Sequence, residues 1–131
     1  MKTTQPVISL LHKYLRSKKL RYDDIILSSA NPLTLRKIFL LDPRFRISVI
    51  VRYLPKLVAR FTYRFKPFSV QPLDRITTEK FAKKLQEKNI KVFPWALTPH
   101  HDGNPFIQKM KQIGIDGIIS FFPEKISDHE K

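Results

Sequence analysis

The chain has 131 residues, 42% of them apolar, and 25 Lys and Arg against 11 Asp and Glu, for a net charge of +14. That length fits a single domain, and the apolar content excludes a compositionally disordered chain. The lack of cysteine excludes disulfides and thiolate metal sites and fits a reducing compartment.

The basic residues are concentrated. Arg36, Lys37, Arg44, Arg46, Arg52, Lys56, Arg60, Arg64 and Lys66 share their stretch with one acid, Asp42. Such a field attracts nucleic acid, anionic lipid or an acidic protein surface, although Lys-rich solvated faces produce the same count. No apolar run approaches the roughly 20 residues needed to span a bilayer. The apolar stretch Val7 to Tyr14 is broken by Ser9 and His12, too weak for a signal peptide. A cytoplasmic or membrane-peripheral location is expected.

In chain order, Val7, Ile8, Leu10, Leu11, Tyr14 and Leu15 recur at helical spacing and predict an amphipathic helix over 4–18. "DIILSS" (24–29) is a short apolar strand. "NPLTLRKIFLL" opens a helix with Asn31 as N-cap and Pro32 in its first position. "RISVIV" (46–51) is β-branched and reads as a strand. Residues 54–66 carry Leu54, Leu57, Val58, Phe61 and Phe65 at helical spacing, and "FSVQP" (68–72) is extended and ended by Pro72. Thr77 is expected to cap "TEKFAKKLQEKN", Asn89 to close it, and "IKVFPWAL" (90–97) to form a strand with a proline inside. "DGNPFIQKMKQIG" is a helix with Pro105 in its first turn and Gly114 as its stop, followed by a last strand, "IDGIIS" (115–120).

Strands and helices thus alternate five times, which argues for a parallel sheet covered by helices. Two architectures suit the pattern, a small doubly wound sheet or part of a (β/α) barrel. A complete barrel needs about 250 residues, so five units cannot close one. The whole of 1–131 reads as one partial domain, with 127–131 a frayed tail.

From Gln71 to Ile126 the sequence resembles the C-terminal part of the glycerophosphodiester phosphodiesterase family, whose pattern includes a strand V-x-x-W-T-V-N and a closing G-V-D-G-I-I-T-D-x-P. Val92, Trp95, Gly114, Asp116, Gly117, Ile118, Ile119 and Pro123 match it, and Ser28-Ser29-Ala30 is similar to the family's S-S-F strand. The resemblance covers about residues 20 to 126. It implies the last five strands of a TIM barrel (24–29, 46–51, 68–71, 91–97 and 116–120) and, for the complete enzyme, phosphodiester hydrolysis in lipid metabolism with a divalent cation such as Mg or Ca.

The family's catalytic H-R-G, E-x-D, second His-Asp pair and Glu-x-Lys strand belong to the first three strands; H-R-G, E-x-D and E-I-K occur nowhere in the 131 residues. Inside the matching part, Ala96, Thr98, Phe121 and Ala30 replace the pattern's Thr, Asn, Asp and Phe. The resemblance places Trp95, Thr98 and Ser120 in the substrate pocket, with ordinary core packing an equally open reading of Trp95. No catalytic residue is identifiable, no cofactor is expected in this chain, and a domain inactive by itself is anticipated. A chain carrying the N-terminal half-barrel, or a second copy, is the expected partner.

Outside that pattern, His100, His101 and Asp102 are the one cluster of catalytic residue types. Adjacent residues rarely converge on one ion, and a polar loop with Asp102 or Asn104 capping the next helix is the simpler reading. His12 and His129 are expected at the surface. Gly117 is expected to admit a close neighbouring backbone, and Asp116 to hold the turn after Gly114. Lys56, Arg60 and Arg64 stand four apart beside an apolar stripe, the arrangement of a helix resting on an anionic membrane or, more commonly, on a sheet. The alternative to the phosphodiesterase reading is therefore a non-catalytic basic module for anionic lipid or nucleic acid, the latter without sequence specificity, since no recognised module is present.

Overall fold

The structure is a computed structural model that describes residues 3–53 and 65–124. The segment 54–64, with Lys56, Arg60 and Arg64, lies outside the described residues, as do His129 and the tail 127–131.

Strands β1 (Ile26–Ser29), β2 (Arg46–Val51), β3 (Ser69–Pro72) and β4 (Lys91–Val92) form one parallel sheet in the order β1-β2-β3-β4. Helix α1 (Thr4–Arg16) precedes β1, α2 (Pro32–Leu41) joins β1 to β2, α3 (Glu79–Gln86) joins β3 to β4, and α4 (Asn104–Ile113) follows β4. A fifth position is held by Ile119, which bridges Trp95 in parallel. Strands succeeding one another without reversal exclude a doubly wound sheet, in which the order turns back at a switch point. The arrangement is a segment of a (β/α) barrel wall.

The local signals act as expected at several ends. The Asn31 side chain accepts the Leu33 N–H at 2.9 Å to cap α2. Gly114 takes φ 77 after α4, a conformation that costs a residue with a Cβ, and its N–H reaches the carbonyls of Met110 and Lys111.

Other ends differ. Thr78 rather than Thr77 caps α3, accepting the Phe81 N–H, while Thr77 is buried and donates its hydroxyl to the Leu73 carbonyl. The strand expected over 90–97 is confined to two residues plus the Trp95 bridge, because Pro94 has no N–H to offer. The last strand is reduced to the Ile119 bridge. Asp116 turns its carboxylate to the Val92 N–H at 2.9 Å and returns its own N–H to the Val92 carbonyl, so a side chain stands where a strand backbone would run.

Alternation sends Ile47, Val49 and Val51 of β2, Val70 of β3 and Val92 of β4 toward the helices, where Ile8, Leu35, Ile38, Ala82 and Leu85 complete the core. The opposite face is the barrel's interior side. There Ser48 and Ser69, both fully buried, share a 2.6 Å hydrogen bond across β2 and β3.

A second polar feature ties the helices together. Asp42, at the end of α2 and only 4% exposed, accepts from the Tyr22 hydroxyl at 2.8 Å and from Arg44 Nε and Nη2 at 2.9 Å, with His12 Nε2 of α1 at 2.8 Å. His12 also stacks on Phe45, so it is part of this joint and not the free surface residue anticipated. The Arg44 hydrogen bond above all, with those of His12 and Tyr22, holds the Asp42 carboxyl far below the usual carboxylate range, outweighing the opposing effect of burial. As pH falls, the unfolded chain therefore takes up this proton first, and the stabilisation that is full at neutral pH drains away from about pH 4 downward. Asp42→Asn should cost about 2–3 kcal/mol at pH 7 by urea denaturation, and the deficit should shrink steadily between about pH 5 and 2; a deficit independent of pH would contradict the charged role.

Candidate functional site

In barrels, chemistry gathers at the C-terminal ends of the strands. There the present chain forms a cavity of about 450 Å³, lined by Ala30 after β1, Ile50 and Arg52 at the end of β2, Gln71 in β3, Trp95 and Ala96 beyond β4, and Ile119, Ser120 and Phe121. All come from the interior-facing register or from the loops that follow it.

Trp95 is half-buried. Its indole N–H donates to the Gln71 carbonyl at 3.0 Å, which fixes the ring against β3 while its face stays on the cavity. The Arg52 guanidinium lies over that ring at 5.5 Å, within cation–π range. Arg52 is exposed and has no carboxylate partner among the described residues.

Ser120 also lines the cavity, but its hydroxyl donates to Asp102 Oδ2 at 2.7 Å and accepts the Phe122 N–H at 2.9 Å. Asp102 is 3% exposed and takes the Phe121 N–H on the same oxygen. The carboxylate thus fastens the loop 120–122 to the start of α4. It is not the helix cap expected: Gly103 occupies that position, because the Asp102 side chain is drawn inward by two donors. Thr98 does not line the cavity. Its hydroxyl pairs with His101 Nδ1 at 2.6 Å, and both His100 and His101 are exposed on the loop. Of the residues read from sequence, the structure brings Trp95 and Ser120 to one cavity, places Asp102 behind Ser120, and leaves Thr98, His100 and His101 outside.

Asp116 is likewise spoken for. Burial pushes its carboxyl up, but hydrogen bonds from Gln86, the Val92 N–H and Lys91 together outweigh that and hold it below its ordinary value. Gly117 sits against a side chain and not a backbone: a Cβ there would meet the Phe93 ring at 3.0 Å.

A divalent cation needs several oxygen ligands converging on one point. Asp102 Oδ1 is buried without a hydrogen-bond partner, yet among the described residues no group of three His, Asp or Glu side chains could hold a metal. The donor set does not fit the cation that the family resemblance implies. What the cavity offers is an aromatic face, one guanidinium and an apolar wall.

Arg52 and Gln71 were not read as site residues from sequence. The signal was present for Arg52, which directly follows "RISVIV" at a strand's C-terminal end, two residues beyond Ile50 and so on the same face.

A segment of (β/α) barrel with a cavity at its strand ends defines the structural class. The fold is that of glycerophosphodiester phosphodiesterases. A Galdieria sulphuraria protein assigned to that activity superimposes with a TM-score of 0.83 at 17% identity, over 96% of this chain and 49% of that one. The glycerophosphodiester phosphodiesterase of Parabacteroides distasonis gives 0.74 at 14% identity, over 98% of this chain and 51% of that one. An Oleispira antarctica phosphodiesterase, solved with its product sn-glycerol-3-phosphate, gives 0.67 at 18% identity, over 79% of this chain and 40% of that one. The chain therefore spans about half the length, or less, of the structures it matches. Neither a protein-family model nor a curated protein matches it by sequence.

Because Asp102 organises the cavity's far wall, Asp102→Ala should lower stability by about 2 kcal/mol through two orphaned donors. His101→Ala, on an exposed loop, should stay within about 0.5 kcal/mol. Urea midpoints for the two variants check this, and equal losses would contradict the division between them.

Proposed function

We propose that this chain is a glycerophosphodiester phosphodiesterase-like domain that supplies the Trp95 wall of a phosphoester pocket and is catalytically silent by itself. The observation carrying the reading is the cavity at the strand ends, where Trp95 is held by its indole bond to Gln71 and faces Ser120 and Phe121. Hydrolysis of a phosphodiester requires charge to neutralise the phosphoryl oxygens and an acid–base pair to move protons. The cavity lining supplies one guanidinium toward the first need and no acid–base pair toward the second, so the reactive groups would come from a half-barrel carrying the H-R-G motif. Ligands for Mg or Ca would come from there too. Such a domain would work in the cytoplasm or at a membrane surface; among the described residues no helix is long and apolar enough to cross a bilayer.

The purified chain should release no glycerol 3-phosphate from glycerophosphocholine with Mg or Ca present. Co-expression with a polypeptide carrying the first three strand–helix units should restore hydrolysis, and Trp95→Ala in that mixture should cut kcat/KM by about tenfold, the scale of one aromatic contact. Turnover by the chain alone, or an assembled barrel that stays inert, would overturn the proposal.

The net charge of +14 supports a second reading, a non-catalytic module on anionic lipid. Reversing Lys56, Arg60 and Arg64 to Glu should then abolish flotation with phosphatidylserine liposomes at low salt, each cation contributing about 1 kcal/mol. Undiminished flotation would clear those three residues of the role.

A further inference from the structure

We infer that the cavity at the strand ends takes a single-tailed anionic amphiphile, with its phosphate on Arg52 and its alkyl chain along the apolar wall. The inference rests on the reading of this cavity as a phosphoester pocket and narrows the ligand it receives.

The wall is apolar where the family pattern is polar. Ala96 and Phe121 stand in place of Thr and Asp, and both line the cavity with Ala30, Ile50 and Ile119. The remaining hydroxyl, that of Ser120, is spent on Asp102 and the Phe122 N–H, so it has no proton to give a glycerol oxygen. A small polyol would leave its hydroxyls unpaired here, which weighs against it. The polar side chains left in the described lining are Arg52, whose guanidinium lies over the Trp95 ring, and the half-buried Gln71. A guanidinium without a carboxylate partner among the described residues is suited to a phosphate monoanion or dianion, which it can meet with two parallel N–H bonds.

The apolar side runs outward from that charge. Ile119 is 43% exposed and Phe121 54%, forming an uncovered greasy lip next to the cavity. At about 450 Å³ the volume lies in the range of small-molecule sites and holds a head with the first part of a tail. Charge at one end and uncovered apolar surface at the other describe an amphiphile. The same chemistry could arrive as a free alkyl phosphate or as a lipid drawn from a bilayer, and the experiment separates the two.

Trp95, the chain's one tryptophan, reports occupancy through its emission. The full 131-residue chain is titrated with monomeric decyl phosphate, octyl phosphate, neutral decyl glucoside and inorganic phosphate, and with phosphatidylcholine vesicles carrying decyl phosphate. Saturable binding of decyl phosphate is expected, with octyl phosphate about 16-fold weaker, since each buried methylene contributes about fourfold. Arg52→Gln, at an exposed position, should weaken decyl phosphate about tenfold or more and leave decyl glucoside unchanged. Ala30→Phe, which fills the cavity, should weaken decyl phosphate with far-ultraviolet circular dichroism intact. Inorganic phosphate binding as well as decyl phosphate, the glucoside matching the phosphate, or an equal response to phosphatidylcholine vesicles without decyl phosphate would each overturn the inference, whereas a response to decyl phosphate in vesicles but not as monomer assigns the ligand's source to the bilayer. If decyl phosphate binds as described while the assembled barrel never cleaves glycerophosphocholine, the hydrolase reading falls and this one stands. Cleavage without amphiphile binding gives the reverse.

Discussion

Parallel pairing is the constraint from which the rest follows. A parallel strand cannot turn straight back on its neighbour, so each must be followed by a crossover long enough to return to the sheet's starting edge. In this chain the described crossovers are α2 and α3, and their apolar residues meet one side of each strand. Because successive side chains alternate, the other side is left to a different purpose. Ile47, Val49 and Val51 are committed to the core, and Ser48, Ile50 and Arg52 are thereby committed to the interior and its mouth. The cavity is a by-product of the same alternation that builds the core.

Three carboxylates, two of them buried, do structural duty. Asp42 joins α1 to the end of α2 through His12, Tyr22 and Arg44. Asp102 fastens the loop before α4 to the 120–122 turn. Asp116 substitutes for strand backbone beside Val92. In each case a short acidic side chain satisfies donors that a sheet or helix end would otherwise leave unpaired. Each of these three is spent on structural hydrogen bonds.

The cavity's character comes from its lining. The Trp95 ring is anchored to the Gln71 carbonyl, while Ala30, Ala96 and Phe121 make the surroundings apolar. Arg52 then stands as the cavity's charge.

Much of the architecture was legible in the residues. The alternation of β-branched runs with capped amphipathic stretches fixed the element types, the Asn31-Pro32 start and the Gly114 stop, because those signals act through the backbone within a few residues. The motif Gly114 to Pro123 placed the last unit. Local signals could not choose between a doubly wound sheet and a barrel wall, since both use the same units; the family resemblance implied the barrel, and the pairing order β1-β2-β3-β4 bears it out. Nor could they assign the polar side chains. Asp102 reads as a cap until the Phe121 and Ser120 donors are brought 19 and 18 residues back to it, and His12 reads as surface until Asp42 arrives from 30 residues away. What the sequence by itself determined was the run of elements and which side of each is greasy, because periodicity is a local property. Which polar groups are spent on one another, and so which remain for a ligand, was decided by tertiary structure, because hydrogen-bond partners distant along the chain meet only when the sheet assembles.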